Sequence, residues 1–251
     1  MQPIEKDVIL ILADISGYTK FMTENRFALT HSTVIIRELI HSIIKEVEIP
    51  LQVKEIEGDA VFLYALKDSD QKAWEESKKL IGEKLVVFMQ VFNRKVVEFA
   101  QSNLCLCLPC KNVDKLKLKI IAHSGRAAFY RIHNLKNNIA GYDVILVHRL
   151  LKNSVKSNQY ILLTKQAYDD LHIPSELTFV QGSERYDEIG EVATYVHYEN
   201  QDERASVLSE RVYSGLGVKI KNLGVKTFKG IPVALRLFRS RLNNENVPVK
   251  K

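Results

Sequence analysis

The spacing of apolar and polar positions divides the chain into segments of two periods. Residues 8–15 (VILILADI) form an almost unbroken apolar run of strand length, ending at Asp14 with Ser16 and Gly17 behind it, which predicts a buried strand with a carboxylate at its end. From about residue 19 to 47 the period becomes helical, with Ile36, Leu39, Ile40, Ile43, Ile44 and Val47 three or four apart, and Pro50 closes the region. Residues 51–56 and 60–66 read as two strands of an antiparallel hairpin joined by the acidic turn Glu57-Gly58-Asp59. Helical spacing returns over 69–101, where Trp74, Phe88, Phe92 and Phe99 mark a packing face. Residues 116–130 alternate and then turn apolar, as a long strand or a hairpin interrupted at Ser124-Gly125. A helix is predicted over 141–155 with Asp143 near its start, then a strand over 160–164, a short helix over 166–171 and a hairpin over 186–198.

The resulting order, βαββαβ, is that of an α+β ferredoxin-like sandwich, an antiparallel sheet covered by helices on one face. Residues 199–209 are polar enough for a linker and 216–239 are β-rich around Gly224 and Gly230. Two regions are expected: a domain over 1–200 and a basic extension over 201–251.

Composition narrows the classes. A chain of 251 residues with 46% apolar side chains can fill a core, which excludes disorder throughout. The net charge of +6 belongs to one end: residues 205–251 hold ten Lys and Arg against two Glu, leaving residues 1–204 at −2. Such a tail can touch RNA, phospholipid or nucleotide phosphate, but solvated Lys and Arg need no partner, so nucleic acid is not the expected ligand. No apolar run approaches the roughly 20 residues of a membrane span, and the opening MQPIEKD lacks the pattern of a secretory signal, so a cytoplasmic location is expected. Cys105, Cys107 and Cys110 lie too close together to staple a domain. They are candidate zinc ligands if a fourth comes from His123, His133 or a dimer mate; the alternative is a loop of reduced, partly buried thiols.

Asp14 at a strand end and Asp59 in the next hairpin can converge if their strands are neighbours. Two carboxylates on one sheet edge make an oxygen site suited to Mg²⁺ or Mn²⁺, and a pair of such ions clamps a triphosphate during in-line displacement, so phosphoryl or nucleotidyl transfer is the leading chemistry. The competing account is that Asp14 caps the following helix and Asp59 shapes a turn.

The motifs carry a resemblance. ADISGYTKF (13–21) and EIEGDAVF (55–62) resemble the two metal motifs of the class III adenylate and guanylate cyclases, and the likeness continues through AHSGRAAFY (122–130) and GYDVILVHRLLKNSV (141–155), covering roughly residues 7–198. The wording looks most like an uncharacterised bacterial branch of cyclase-like proteins. The resemblance implies a homodimer with its active sites at the interface, two Mg²⁺ or Mn²⁺ ions, and a purine nucleoside triphosphate as ligand. It assigns metal binding to Asp14, Asp59 and the backbone carbonyl of Ile15, and phosphate contacts to Gly17, Tyr18 and Thr19. Glu55 and Asn138 fall at the base-selecting positions; Glu55 leans towards GTP, whereas Asn138 fits either purine. Arg149 matches the arginine that stabilises the transferring phosphate.

Two departures bear on activity. The family has Asn four residues before that arginine, where this chain has Ile145, and the late Lys-Gly motif is replaced by Glu188-Ile189-Gly190-Glu191, with Lys229 about forty residues too late. If each lost contact is worth about 2.7 to 4 kcal/mol, turnover falls by about 10⁴ or more while binding survives. The expected activity is therefore either conversion of NTP to 3′,5′-cyclic NMP and pyrophosphate, or a catalytically degenerate module that senses nucleotide or dimerises.

Overall fold

The computed structural model describes residues 2–101, 107–131 and 138–199. The expected linker beyond Glu199, the extension over 201–251, Cys105, His133 and Lys229 lie outside the described residues.

The first strand, β1 (Ile4–Ser16), fixes the layout. Val8 to Ala13 are essentially inaccessible on both sides of the strand, which explains a continuous apolar run rather than alternation. Ile9, Ile11, Ala13 and Ile15 enter one core, whereas Val8, Leu10 and Leu12 enter another on the opposite face of the sheet. Antiparallel neighbours flank β1: β3 (Ala60–Leu66), which turns back from β2 (Gln52–Glu57), and β4 (Lys117–Tyr130), which carries β5 (Asn138–Ala140) at its far end. With β6 (Tyr160–Thr164), β7 (Val180–Tyr186) and β8 (Gly190–Tyr198) the main order is β2-β3-β1-β4-β6-β8-β7. All pairings are antiparallel except β4–β6, so the sheet is mixed.

The larger core lies under α2 (Leu29–Ile44) and α3 (Gln71–Gln101). Helix α3 begins where the Asp70 carboxylate accepts hydrogen bonds from the N–H groups of Lys72, at 2.8 Å, and Ala73, at 3.4 Å. It buries Trp74, Phe88, Phe92 and Phe99 as its spacing predicts. The helical region over 19–47 is two helices, α1 (Tyr18–Glu24) and α2. The buried Asn25 separates them, its Nδ2 donating to the Phe21 carbonyl at 2.7 Å, with a 3-10 turn (Arg26–Ala28) after it.

The helices do not all lie on one face. Helix α5 (Tyr142–Arg149) covers the second core through Leu146, Val147 and, just beyond it, Leu150. It is also shorter than the predicted 141–155. Asn153 donates to the Leu150 carbonyl and to the Tyr160 hydroxyl, both at 2.7 Å, and the buried Glu184 accepts from the backbone and hydroxyl of Ser154, so tertiary hydrogen bonds take the chain out of the helix. Residues 117–130 form one strand rather than a hairpin. The expected hairpin over 186–198 is β7–β8, which starts at Val180 and turns over 187–189. A short α4 (Leu108–Lys111) and α6 (Lys165–Asp170) complete the larger core's cover.

Gly125 is what lets α5 sit close to β4: a Cβ there would overlap the Asp143 carboxylate and come within 2.7 Å of the His123 Nε2. Gly58 differs, with open space around it but φ at +64°. Gly125→Ala should cost about 1–3 kcal/mol through overpacking, and Gly58→Ala about 1 kcal/mol through backbone strain alone. Urea denaturation of both variants would test this; equal costs would contradict the close approach of α5.

Candidate functional site

Side-chain parity along β1 decides where the carboxylates point. Asp14 follows Val8, Leu10 and Leu12, so it belongs to the α5 side of the sheet, and its partner in the β1–β3 ladder is Ala60. Asp59, the turn residue before Ala60, is thereby brought beside Asp14. The capping account of Asp14 does not hold: the residue preceding α1 is Gly17, with no side-chain bond to the helix, and Asp14 instead pairs with Lys119 at 2.9 Å.

Lys119 is a member of this cluster that the motifs do not reveal. It lies opposite Asp14 in the β1–β4 ladder and also donates to the Leu151 carbonyl at 3.3 Å. Lys119 follows Lys117 in the alternating start of β4, and it is the β1–β4 register that sets it on the face of Asp14. Its ammonium is a cation held by one of the two carboxylates, which is the test the structure offers of whether metal suits the site. Burial and the neighbouring Asp14 push the Asp59 carboxyl up from 3.8 to about 7, against the opposing pull of its own backbone hydrogen bond and of Lys119. Crowded carboxylates of this kind, with hard oxygen donors, fit Mg²⁺ or Mn²⁺.

The other assigned residues are spread around this edge. The Ile15 side chain is in the helix-side core, so only its main chain is available to the site. Gly17 has φ +87° at the entry to α1, and the Tyr18 ring packs against the helix-side core, again leaving the main chain; Thr19 receives the Thr23 hydroxyl on its carbonyl at 2.8 Å. Glu55 is exposed on β2 opposite Phe62, whereas Asn138 is half-buried on β5 opposite Tyr130. In sheet order β3, β1 and β4 separate those two strands, so the ladder does not bring Glu55 and Asn138 together.

Arg149 ends α5, exposed, with Glu188 of the β7–β8 turn 4.0 Å away. A cavity of about 310 Å³ is lined there by Arg149, Arg185, Tyr186, Asp187, Glu188 and Ile189. The segment that would supply lysine thus brings a carboxylate to the arginine. Ile145, one turn before Arg149, is 56% exposed and offers no polar atom.

Among the described residues, His123 has no link to the thiols. It is buried, with Nδ1 2.9 Å from the Thr164 hydroxyl and Nε2 3.1 Å from Asp143, in a contact out of hydrogen-bond alignment. Asp143 accepts the Arg126 N–H at 2.6 Å. Burial lowers the His123 pKa, with Asp143 opposing, so the ring is neutral near pH 7. His148 lies edge-on to Phe62, with ring centroids 5.0 Å apart, in a packing role.

The fold that carries these residues has counterparts in solved structures. The adenylyl cyclase CyaB from P. aeruginosa superposes with a TM-score of 0.59 at 14% identity, over 80% of this chain and 97% of that one. The fold is that of the class III cyclases. The guanylyl cyclase Cya2 gives 0.53 at 12% identity, over 78% of this chain and 94% of its own. A class III adenylyl cyclase-like ATP-binding protein from Pseudomonas aeruginosa gives 0.54 at 15%, over 66% of this chain and 35% of its own. Residues 36–160 match the model of a family described as a protein of unknown function, DUF2652. The uncharacterized protein Rv2561/Rv2562 of Mycobacterium tuberculosis is 30% identical over 129 residues, 51% of this chain and a little over half, 56%, of that relative. Among the described residues, no helix is long and apolar enough to cross a membrane.

The raised Asp59 pKa makes a signed prediction for the metal-free protein. Between about pH 4 and 7 the folded state keeps a proton that the unfolded chain has released, so stability falls as pH rises through that interval and stays lower above it. Asp59→Asn should flatten this slope and be more stable than the parent at pH 8 but not at pH 4. Urea midpoints of both proteins at the two pH values, in chelator, would check it; parallel profiles would show that Asp59 titrates normally.

Proposed function

We propose that this protein binds a purine nucleoside triphosphate with divalent metal at the Asp14–Asp59 edge, as a homodimer of the class III cyclase type. The observation that carries this reading is the Asp14, Asp59 and Lys119 cluster: two carboxylates whose charges are costly together and one cation already held between the sheet and α5. The two carboxylates would hold Mg²⁺ or Mn²⁺, with the Ile15 carbonyl as a further oxygen.

When bound, the metal would lower the pKa of the ribose 3′-hydroxyl and offset charge on the phosphates. Asp59 must surrender its proton for the site to fill. Lys119 would hold Asp14 in place through its ion pair. The backbone of Gly17, Tyr18 and Thr19 would face the phosphate chain, while Glu55 would accept hydrogen bonds from the N1–H and amine of guanine, and Asn138 would meet either base. In cyclisation the 3′-oxygen bonds to the α-phosphorus, its proton leaves, and the bond to pyrophosphate breaks. Arg149 from the second protomer would donate to the charge that develops there.

Ile145 and Glu188 favour a second reading, in which nucleotide is bound and sensed with little turnover. An alkyl group cannot replace the amide contact, and a carboxylate 4.0 Å from Arg149 competes with phosphate for its guanidinium. The cyclase-like ATP-binding protein of Pseudomonas aeruginosa supports nucleotide binding as a use of this fold.

Purified protein incubated with ATP or GTP and Mn²⁺ or Mg²⁺ should bind nucleotide by calorimetry, with binding lost in Asp14→Ala and Asp59→Ala. Mass spectrometry should find little cyclic product from the parent. Ile145→Asn combined with Glu188→Lys should raise the yield by about 10⁴ or more if each restores a contact of oxyanion-hole size. Absence of nucleotide binding, or undiminished binding by both alanine variants, would defeat the proposal.

A further inference from the structure

A second cluster lies on the other side of the sheet, among residues the cyclase resemblance does not use. His31 sits in the first turn of α2, whereas Cys107 immediately precedes α4 and Cys110 lies within it, 76 residues or more further along the chain. The His31 Nδ1 is 3.2 Å from the Cys107 sulfur, and the donor atoms of His31, Cys107 and Cys110 all lie within 4.8 Å of one another. Cys110 is buried, at 4% exposure, and Cys107 and His31 are half-buried. From these three donors we infer a zinc site that ties the α3–β4 connection to the start of α2.

Tetrahedral zinc with bonds of about 2.3 Å to sulfur and 2.0–2.1 Å to nitrogen sets its donors about 3.6–3.8 Å apart, so the cluster closes on the ion with movements of about 1 Å. Two thiolates and an imidazole are soft and borderline donors, which select zinc over the Mg²⁺ or Mn²⁺ suited to Asp14 and Asp59. The Cys107-Leu108-Pro109-Cys110 spacing places both sulfurs on one short turn, and His31 supplies the distant arm. His31, rather than His123, is therefore the histidine of the thiol cluster. Both thiols lose their protons on binding, so occupancy rises with pH. The fourth position is left to water or another donor.

The site has a structural consequence within reach of the phosphate-facing turn. Helix α4 runs directly into the 3-10 turn Val113–Lys115, and the Lys115 carbonyl is the atom a Cβ on Gly17 would meet at 3.4 Å. Zinc fixing Cys107 and Cys110 to α2 would therefore also hold the wall behind Gly17.

The test is elemental analysis of the full chain purified reduced, with zinc supplied and no chelator, followed by competition against a chromophoric zinc chelator. About one zinc per chain is expected. His31→Gln and Cys107→Ser should weaken zinc by more than the 10–100-fold that loss of an outer partner costs. Asp14→Ala should leave zinc unchanged, which separates this site from the carboxylate edge. Cobalt substitution should give sulfur-to-metal charge-transfer absorption that weakens in Cys107→Ser, and circular dichroism should show the variants folded. Zinc below one-tenth of the chain concentration, zinc undiminished in folded His31→Gln, or a Cys107–Cys110 disulfide in place of metal would each overturn the inference.

Discussion

The burial of β1 on both faces is the constraint on which the rest depends. A strand covered on one side only would alternate, and a slip of one residue would turn its apolar set to solvent. Here consecutive side chains from Val8 to Ala13 feed two separate cores, so a slip of one residue would exchange the two sets and bring Asp14 towards α2 and α3. The two-residue period therefore ties a carboxylate at the strand end to the packing of the whole sheet. Both neighbours obey the same parity: Phe62 on β3 shares the α5 side, as do Ile121 and His123 on β4.

The electrostatic consequence is a site with too much like charge for its burial. Asp14 and Asp59 cannot both ionise cheaply there, and Lys119 relieves only part of the cost, since the Asp59 carboxyl still holds its proton to about pH 7. A domain selected for stability alone would place an apolar or amide side chain at one of the two positions. At the far end of α5 the opposite arrangement holds, with Arg149 exposed and already facing Glu188. The two ends of this region thus differ in charge: at one, two carboxylates crowd beside a single ammonium, and at the other an exposed guanidinium already faces a carboxylate.

The parts of the fold legible in the sequence are those set by local periodicity. The run at 8–15, the hairpin around Gly58 and the long helix over 69–101 all come from apolar spacing alone. The end of α5 does not, because it is decided by Asn153 reaching Tyr160 and by Ser154 reaching Glu184, and no pattern within the helix encodes those partners. Asp14 and Asp59 can be paired from the sequence only on the condition that β1 and the hairpin after it are neighbours, and the β1–β3 ladder meets that condition. Lys119 required the β1–β4 register, and His31 required the fold itself, since it meets Cys107 across 76 residues. The parallel β4–β6 pair and the position of α5 on the second face were hidden for a related reason: a βαβ crossover looks the same in sequence whichever face its helix covers.

Gly17 shows how these separate features act on one point. On one side the chain comes from Asp14 and Ile15, so the turn inherits its position from β1 and the two cores. From the other side the Lys115 carbonyl approaches, at the end of the segment that begins with Cys107. A positive φ at Gly17 is tolerated without a side chain, and the close carbonyl adds a second reason for glycine there. The geometry of the turn before α1 is thus set jointly by strand register and by whatever fixes the α3–β4 connection, and the thiol and imidazole donors lie on that connection and on the helix it packs against. A cation bound among the sulfurs and one bound between the carboxylates would differ in chemistry, yet both would act on the same short stretch of backbone.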